Sequence, residues 1–203
     1  MLNKIDNLLQ DEHMTEHQAQ EMQEMYQELR HLSDLSRSLL LLAKIENKQF
    51  KKQQHVDLCN EVREIMPRLE SIAGDITITV NYPQTSVELV CNEALLVSLI
   101  TNLVANAVRH NYLDGSIAIR VTSDGLTIAN TSNEQPLDPV HIFSRFYRTK
   151  ENQKGNGLGL AIVKSICDYH HWAISYQYTD AMHVFRIDMN RHNADSGAAD
   201  IAG

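Results

Sequence analysis

The sequence predicts an α+β protein, a helical hairpin followed by an α/β sandwich. Two observations predict it. Residues 1–48 contain no glycine and no proline, and their apolar residues recur at helical spacing. From about residue 57 onward, helical and strand-like patterns alternate, divided by Gly, Asn, Asp and Ser. With 203 residues, 43% of them hydrophobic, the chain can bury a sizeable core.

The elements follow in order. Leu2, Ile5, Leu8 and Leu9 mark a short first helix, and a turn is expected between Asp11 and Thr15. Beyond it Met22, Met25, Leu29, Leu32, Ser36, Leu39 and Ala43 follow a 3-4 alternation, the seam of a long second helix. Two such helices cannot bury their seams alone. A dimeric four-helix bundle would bury them, and so would packing against the rest of the chain; the sustained heptad favours the dimer. Polar and basic residues cluster from Asn47 to Gln54, which sets the expected domain limits at 1–50 and 54–190. Asp57 can cap a helix from Leu58 to about Ala73 that ends at Gly74. Ile76–Val80 alternates as a strand, and Ser86–Val90 is a weaker one. Asn92 can cap a helix running through residues 102–111. Ile117–Val121 and Leu126–Ala129 flank a Ser-Asp-Gly turn, so they read as a hairpin. Leu158–His170 reads as a helix, and Ala173–Tyr178 with His183–Met189 as a closing hairpin. The expected result is one mixed, mostly antiparallel sheet with helices on one face. Residues 191–203 are small and polar and read as a disordered tail.

Composition excludes some functions. A net charge of −8 argues against a nucleic-acid surface. Cys59, Cys91 and Cys167 form no CxxC and fit free thiols in a reducing compartment. The strongest apolar run, Leu39–Ala43, is too short to span a bilayer, and Lys4, Asp6 and Asp11 interrupt any signal-peptide pattern. The chain therefore reads as cytoplasmic.

Two motifs carry chemistry. The stretch Asn102-Leu-Val-Ala-Asn106-Ala-Val-Arg109-His110-Asn111 would place Asn102, Asn106, Arg109 and His110 on one helix face. That stripe is either a site or a solvated face; asparagine, a poor helix former, is unusual for the latter. Downstream, Gly155-Asn-Gly157-Leu-Gly159-Leu160 precedes a helix. Glycines allow close approach of an anion, and a helix N-terminus presents free N–H groups to it, so this is a phosphate cradle by physics. It is neither a dinucleotide fingerprint nor a P-loop, because no strand feeds into it and no Gly-Lys-Ser/Thr follows. The basic stretch Arg148-Thr-Lys150-Glu-Asn-Gln-Lys154 could fold over a polyphosphate as a lid.

Together these motifs resemble the cytoplasmic core of a bacterial sensor histidine kinase, whose ATP-binding domain is of the gyrase/Hsp90/histidine-kinase/MutL type. Residues 102–111 resemble that family's N box, Ile142-Phe-Ser-Arg-Phe-Tyr-Arg148 its F box, and residues 155–160 its second glycine box. LLLLAKIENKQF at 39–50 resembles the end of its second hairpin helix. The resemblance implies ATP and Mg²⁺ as cofactors. It implies Asn106 as the Mg²⁺ ligand, supported by Asn102, with Arg109 on the phosphates and His110 flanking the nucleotide. Phe143 and Phe146 would anchor the base of the lid that carries Lys150, and Arg148 would neutralise γ-phosphate charge. Gly155, Gly157 and Gly159, with the N–H groups of Leu158 and Leu160, would hold the phosphate tail. It also implies a homodimer, a response-regulator receiver domain as partner, and a parent protein in the inner membrane.

Two departures qualify the match. Where the family has Asp-x-Gly-x-Gly to bind the adenine amino group, this chain has Asn130-Thr-Ser132-Asn-Glu134. Asn130 keeps one carbonyl acceptor, but the charge and both glycines are gone. The family's phosphoacceptor motif, His-Glu/Asp-x-x-Thr-Pro, is absent; His13, His17 and His31 have the wrong neighbours. Residues 1–9 resemble sequence that would follow that motif, so the chain is expected to be N-terminally truncated and unable to phosphorylate itself at the usual place. The expected activity is transfer of the ATP γ-phosphoryl group to a histidine. The alternatives are a non-catalytic nucleotide-binding or dimerisation module and, less favoured, an ATPase. The last would need a glutamate base where this chain has Asn102, an amide that cannot take a proton at neutral pH.

Overall fold

A computed structural model describes residues 15–148 and 155–190. The expected first helix, the expected tail and Lys150 lie outside the described residues. Helix α1 spans Glu16–Glu46. Thr15 caps it reciprocally with Gln18, which is why the chain enters the helix at this point. Only Leu42 and Ile45 of α1 are buried, and they pack towards α4 (Gly159–His170); Met25, Leu32 and Leu39 stand exposed along the heptad seam, with Leu40 exposed beside it.

Strand β1 (Gln54–Asp57) leads into α2 (Leu58–Ala73), β2 (Thr77–Asn81), β3 (Glu88–Cys91) and α3 (Glu93–Arg109). Then come β4 (Ser116–Thr122), β5 (Gly125–Thr131), α4 (Gly159–His170), β6 (Ala173–Thr179) and β7 (Met182–Asp188). Five strands form one sheet in the order β2-β4-β5-β7-β6, antiparallel except for the β2–β4 pair. β1 and β3 form a separate antiparallel ribbon. β1 was not foreseen. Its residues, Gln-His-Val-Asp, carry no apolar alternation, and only Val56 is buried. Pairing with β3, a long-range event, makes it a strand.

Local chemistry fixes the helix ends. Asp57 accepts from the N–H of Cys59 (3.0 Å) and of Val87 (3.0 Å), so one carboxylate starts α2 and ties it to the segment before β3. Gly74 ends α2 at φ +61. Asn92 accepts from the N–H of Leu95 and starts α3. The two layers then close on each other. Ile117, Ile119 and Val121 of β4, Leu126 and Ile128 of β5, and Phe185 and Ile187 of β7 alternate onto one face. Leu95, Leu96, Leu99, Ile100, Leu103 and Val104 of α3 meet them. Every one of these side chains is essentially inaccessible, and each contributes about 1.5–3 kcal/mol of burial. α3 lies between α2 and α4, so its C-terminal turn points at the N-terminus of α4.

Candidate functional site

The C-terminal part of the asparagine stripe and the glycine loop face one cleft, open at its mouth. Its lining includes Asn106, Arg109 and His110 from the end of α3, and Gly157, Gly159 and Leu160 from the start of α4. Ile142, Tyr147 and Arg148 come from the F-box segment, and Leu137 from the loop before it. Asn106 is 8% exposed, and its carboxamide makes no hydrogen bond to another described residue. A nearly buried amide left unspent on a cleft wall is suited to a ligand. Arg109 reaches solvent as a residue, but its guanidinium packs at the glycine loop: a Cβ on Gly155 would sit 2.8 Å from its Cζ. That burial, and then the nearby Arg148 charge, pull the Arg109 pKa below the ordinary arginine value. Two guanidinium groups that disfavour each other attract a shared polyanion.

The glycine loop is shaped by contact with the F box. Gly157 has φ +66, and a Cβ there would lie 2.8 Å from the backbone of Phe146. Phe146 N–H donates to Gly157 O at 2.8 Å. No described side chain caps α4, so N–H groups of its first turn remain for an anion.

Several expected roles change. α3 ends at Arg109, not Asn111. His110 is its C-cap, and Asn111 holds Ser116 O and Thr131 Oγ1, a structural tie. Asn102 is one turn behind the cleft wall; its Nδ2 donates to Ser98 O at 2.8 Å, while its Oδ1 faces Gly159. Leu158 N–H is not available to phosphate, because it donates to Asn156 Oδ1 at 3.1 Å. Phe143 packs against the core. The Phe146 ring does not: it is 57% exposed, because the residue adopts φ +62 to present its backbone to Gly157. Its anchoring is done by main chain. Helix α1 also reaches this region, through an ion pair of Glu46 with Arg145 and a hydrogen bond from Asn156 Nδ2 to Ser38 Oγ (3.4 Å).

The far end of the site lies behind His110, where Asn130, 1% exposed, stands next to the cleft without lining it. Its Nδ2 donates to Thr131 O (2.9 Å) and, at 3.4 Å, to His110 O. Both acceptors are carbonyls, so the amide orientation is fixed by chemistry. Its Oδ1 is then left buried with no partner among the described residues. An orphaned acceptor costs about 1–3 kcal/mol unless a ligand N–H meets it. An exocyclic amine of adenine is such a donor, so the residues fit a nucleotide at both ends. Ser132, Glu134, Tyr176 and His183 surround this end; the last two were not foreseen. The available signal was His183, which sits in the inward register of β7 with Phe185 and Ile187.

Among the described residues no group of three or more His, Cys, Asp or Glu could hold a metal, so a cation here would depend on few protein ligands. No described helix is long and apolar enough to cross a membrane.

Comparison with known proteins agrees with this geometry. Residues 91–193, slightly more than half of the chain, match the family model of histidine kinase-, DNA gyrase B- and HSP90-like ATPases. The heme sensor protein HssS of Staphylococcus aureus (strain JH9) is 27% identical over 186 residues, 86% of this chain and 40% of that relative. The chain thus spans two fifths of the length of this relative. The Acinetobacter baumannii histidine kinase AdeS superposes with a TM-score of 0.65 at 20% identity, covering 94% of both chains. The mycobacterial sensor histidine kinase MprB superposes with a TM-score of 0.60 at 23% identity, over 67% of this chain and 95% of that one. The chain belongs to the histidine kinase-, DNA gyrase B- and HSP90-like ATPase family.

Proposed function

We propose that this chain holds ATP·Mg²⁺ and presents the γ-phosphoryl group to a histidine imidazole, as the nucleotide-binding part of a two-component sensor kinase. The observation that carries the reading is the convergence of Asn106, Arg109, Arg148 and the open N-terminus of α4 on one cleft. Phosphoryl transfer needs little covalent help from protein; it needs positioning and charge neutralisation. Arg148 and Arg109 supply positive charge, and the first-turn N–H groups of α4 supply oriented dipoles. Asn106 offers one carbonyl oxygen to Mg²⁺, which prefers few protein ligands plus phosphates and water. Asn130 Oδ1 receives the adenine amine. A magnesium ion held at Asn106 would supply positive charge to the phosphate tail.

Water is not the intended acceptor. Asn102, already engaged with Ser98, cannot act as a base. The acceptor must be a histidine in the family's motif, and none of the 203 residues lies in such a motif. That absence favours one alternative, a nucleotide-binding module that acts through α1 on a partner. The exposed seam of α1 suits a second copy of the chain, and the proposed phosphoryl recipient beyond it is a receiver domain.

The test is a titration with ATP and Mg²⁺, followed by calorimetry, together with radiolabel retention. The expected results are micromolar-range binding, no acid-labile phosphoryl group on the chain and negligible hydrolysis. Asn106→Asp should change the metal dependence of binding. Labelled phosphate retained on this chain would contradict the acceptor argument, and absence of binding would overturn the proposal.

A further inference from the structure

The closing hairpin β6–β7 holds the base end of the cleft at four points. Ser132 N–H donates to Ala181 O (3.0 Å), and Ser132 Oγ lies 3.0 Å from His183 Nε2. Tyr178 OH donates to Glu134 O (3.2 Å), and Leu137 N–H donates to Tyr176 OH (2.9 Å). His183 joins two of these points, because its Nδ1 lies 2.9 Å from Tyr176 OH. Both ends of this chain of contacts reach the nucleotide cleft. Leu137 lines it directly. At the other end, Glu134 N–H donates to Ser132 Oγ (3.0 Å), and Glu134 Oε2 lies 2.8 Å from Nδ1 of His110, which also lines it.

Each hydroxyl already accepts one backbone N–H. A neutral imidazole donates to one hydroxyl and accepts from the other, in either tautomer, and leaves one hydroxyl hydrogen without an acceptor among these groups. An imidazolium would donate to both and strand two hydroxyl hydrogens in a site that is 1% exposed at His183. The Tyr176 and Tyr178 rings, with centroids 5.8 and 5.1 Å from the imidazole, enclose it.

We propose that His183, with Tyr176 and Ser132, is a positioning centre that sets the wall for the nucleotide base through Leu137 and His110. It touches no part of the ligand itself. It replaces, by side-chain hydrogen bonds, the shape that small residues at 132 and 134 would otherwise leave to the loop. This inference rests on the nucleotide reading above.

The test uses the full chain and two ligands, Mg·AMPPNP and inorganic tripolyphosphate as its competitor. Tyr176→Phe deletes one hydroxyl and keeps the ring, and Ser132→Ala deletes the other partner; either serves if the second fails to fold. Loss of such a hydrogen bond should weaken AMPPNP binding by about five- to tenfold. Tripolyphosphate affinity should stay within about twofold, since it does not reach the base wall. A merely structural role would weaken both ligands in parallel with the melting temperature. That parallel loss, or unchanged AMPPNP affinity in both folded variants, overturns the inference. Failure of the unaltered chain to bind either ligand overturns the nucleotide reading instead, and the inference with it.

Discussion

The two ends of the cleft are built on opposite principles. The phosphate end uses main chain and arginine charge: Gly157 at positive φ, the open first turn of α4, Arg109 and Arg148. The base end uses buried side chains that satisfy one another, with Asn130 Oδ1 the atom left over. Main-chain cradles need particular residue types at particular spacings, so they show in sequence. Side-chain networks need only partners that meet in space, so they do not. An end held by main chain and arginine charge also tolerates substitution differently from one held by buried side-chain hydrogen bonds.

The largest effect should come from Asn130→Asp. The family pattern has aspartate there, but in this chain the charge does not fit its surroundings. Here the position faces His110 O and Thr131 O, which now receive N–H groups from Asn130. A carboxylate would turn against two carbonyls at a buried site, at a cost of about 3 kcal/mol in stability. The prediction is a lower urea midpoint and weaker, not tighter, AMPPNP binding. Tighter binding would show that the base end can relax as the phosphate end does.

Gly157→Ala comes next. Its Cβ would collide with the Phe146 backbone at a φ that alanine disfavours, so about 1–3 kcal/mol of strain enters the loop. Nucleotide affinity should fall by roughly 10- to 100-fold, while the melting temperature moves little. A large melting shift with intact affinity would mean that the loop belongs to the core.

Acid should separate the ends further. Burial holds the His183 and His170 pKa values below the ordinary histidine value. His170 donates from Nδ1 to Ile166 O and accepts from Asn92 N–H, so it too must be neutral. Above pH 6.5 these histidines are neutral in both folded and unfolded chains, and stability is unaffected. Below it the unfolded chain gains protons that the folded chain refuses, so stability falls with pH. Urea midpoints should be flat from pH 8 to 7 and decline below 6.5, and the decline should shrink in His170→Asn.

The smallest effect is expected at Glu46–Arg145, a half-exposed pair between α1 and the F box. Arg145→Ala should cost no more than about 0.5 kcal/mol, measured by urea unfolding. A larger loss would show that α1 is part of the phosphate end rather than a neighbour of it.

What could be read in the chain follows the same division. Asp57, Gly74 and Asn92 announced helix ends through caps that act within four residues. The two hairpins and the glycine loop were legible for the same reason. β1 was not, because Gln54–Asp57 become a strand only by pairing with residues 88–91. The exposure of Phe146 and the capping of Leu158 by Asn156 depend on loop geometry that no spacing encodes. Tyr176 and His183 lie 39 and 51 residues from the loop residues they hold.

The most direct measurement is an amide-resolved NMR titration of the chain with Mg·AMPPNP and, separately, with tripolyphosphate. AMPPNP should shift the backbone amides of Gly157, Gly159 and Leu160 and the side-chain amide of Asn130, whereas tripolyphosphate should shift only the glycine-loop group. If AMPPNP leaves Asn130 unmoved, or tripolyphosphate moves both groups alike, the cleft does not have two separately built ends.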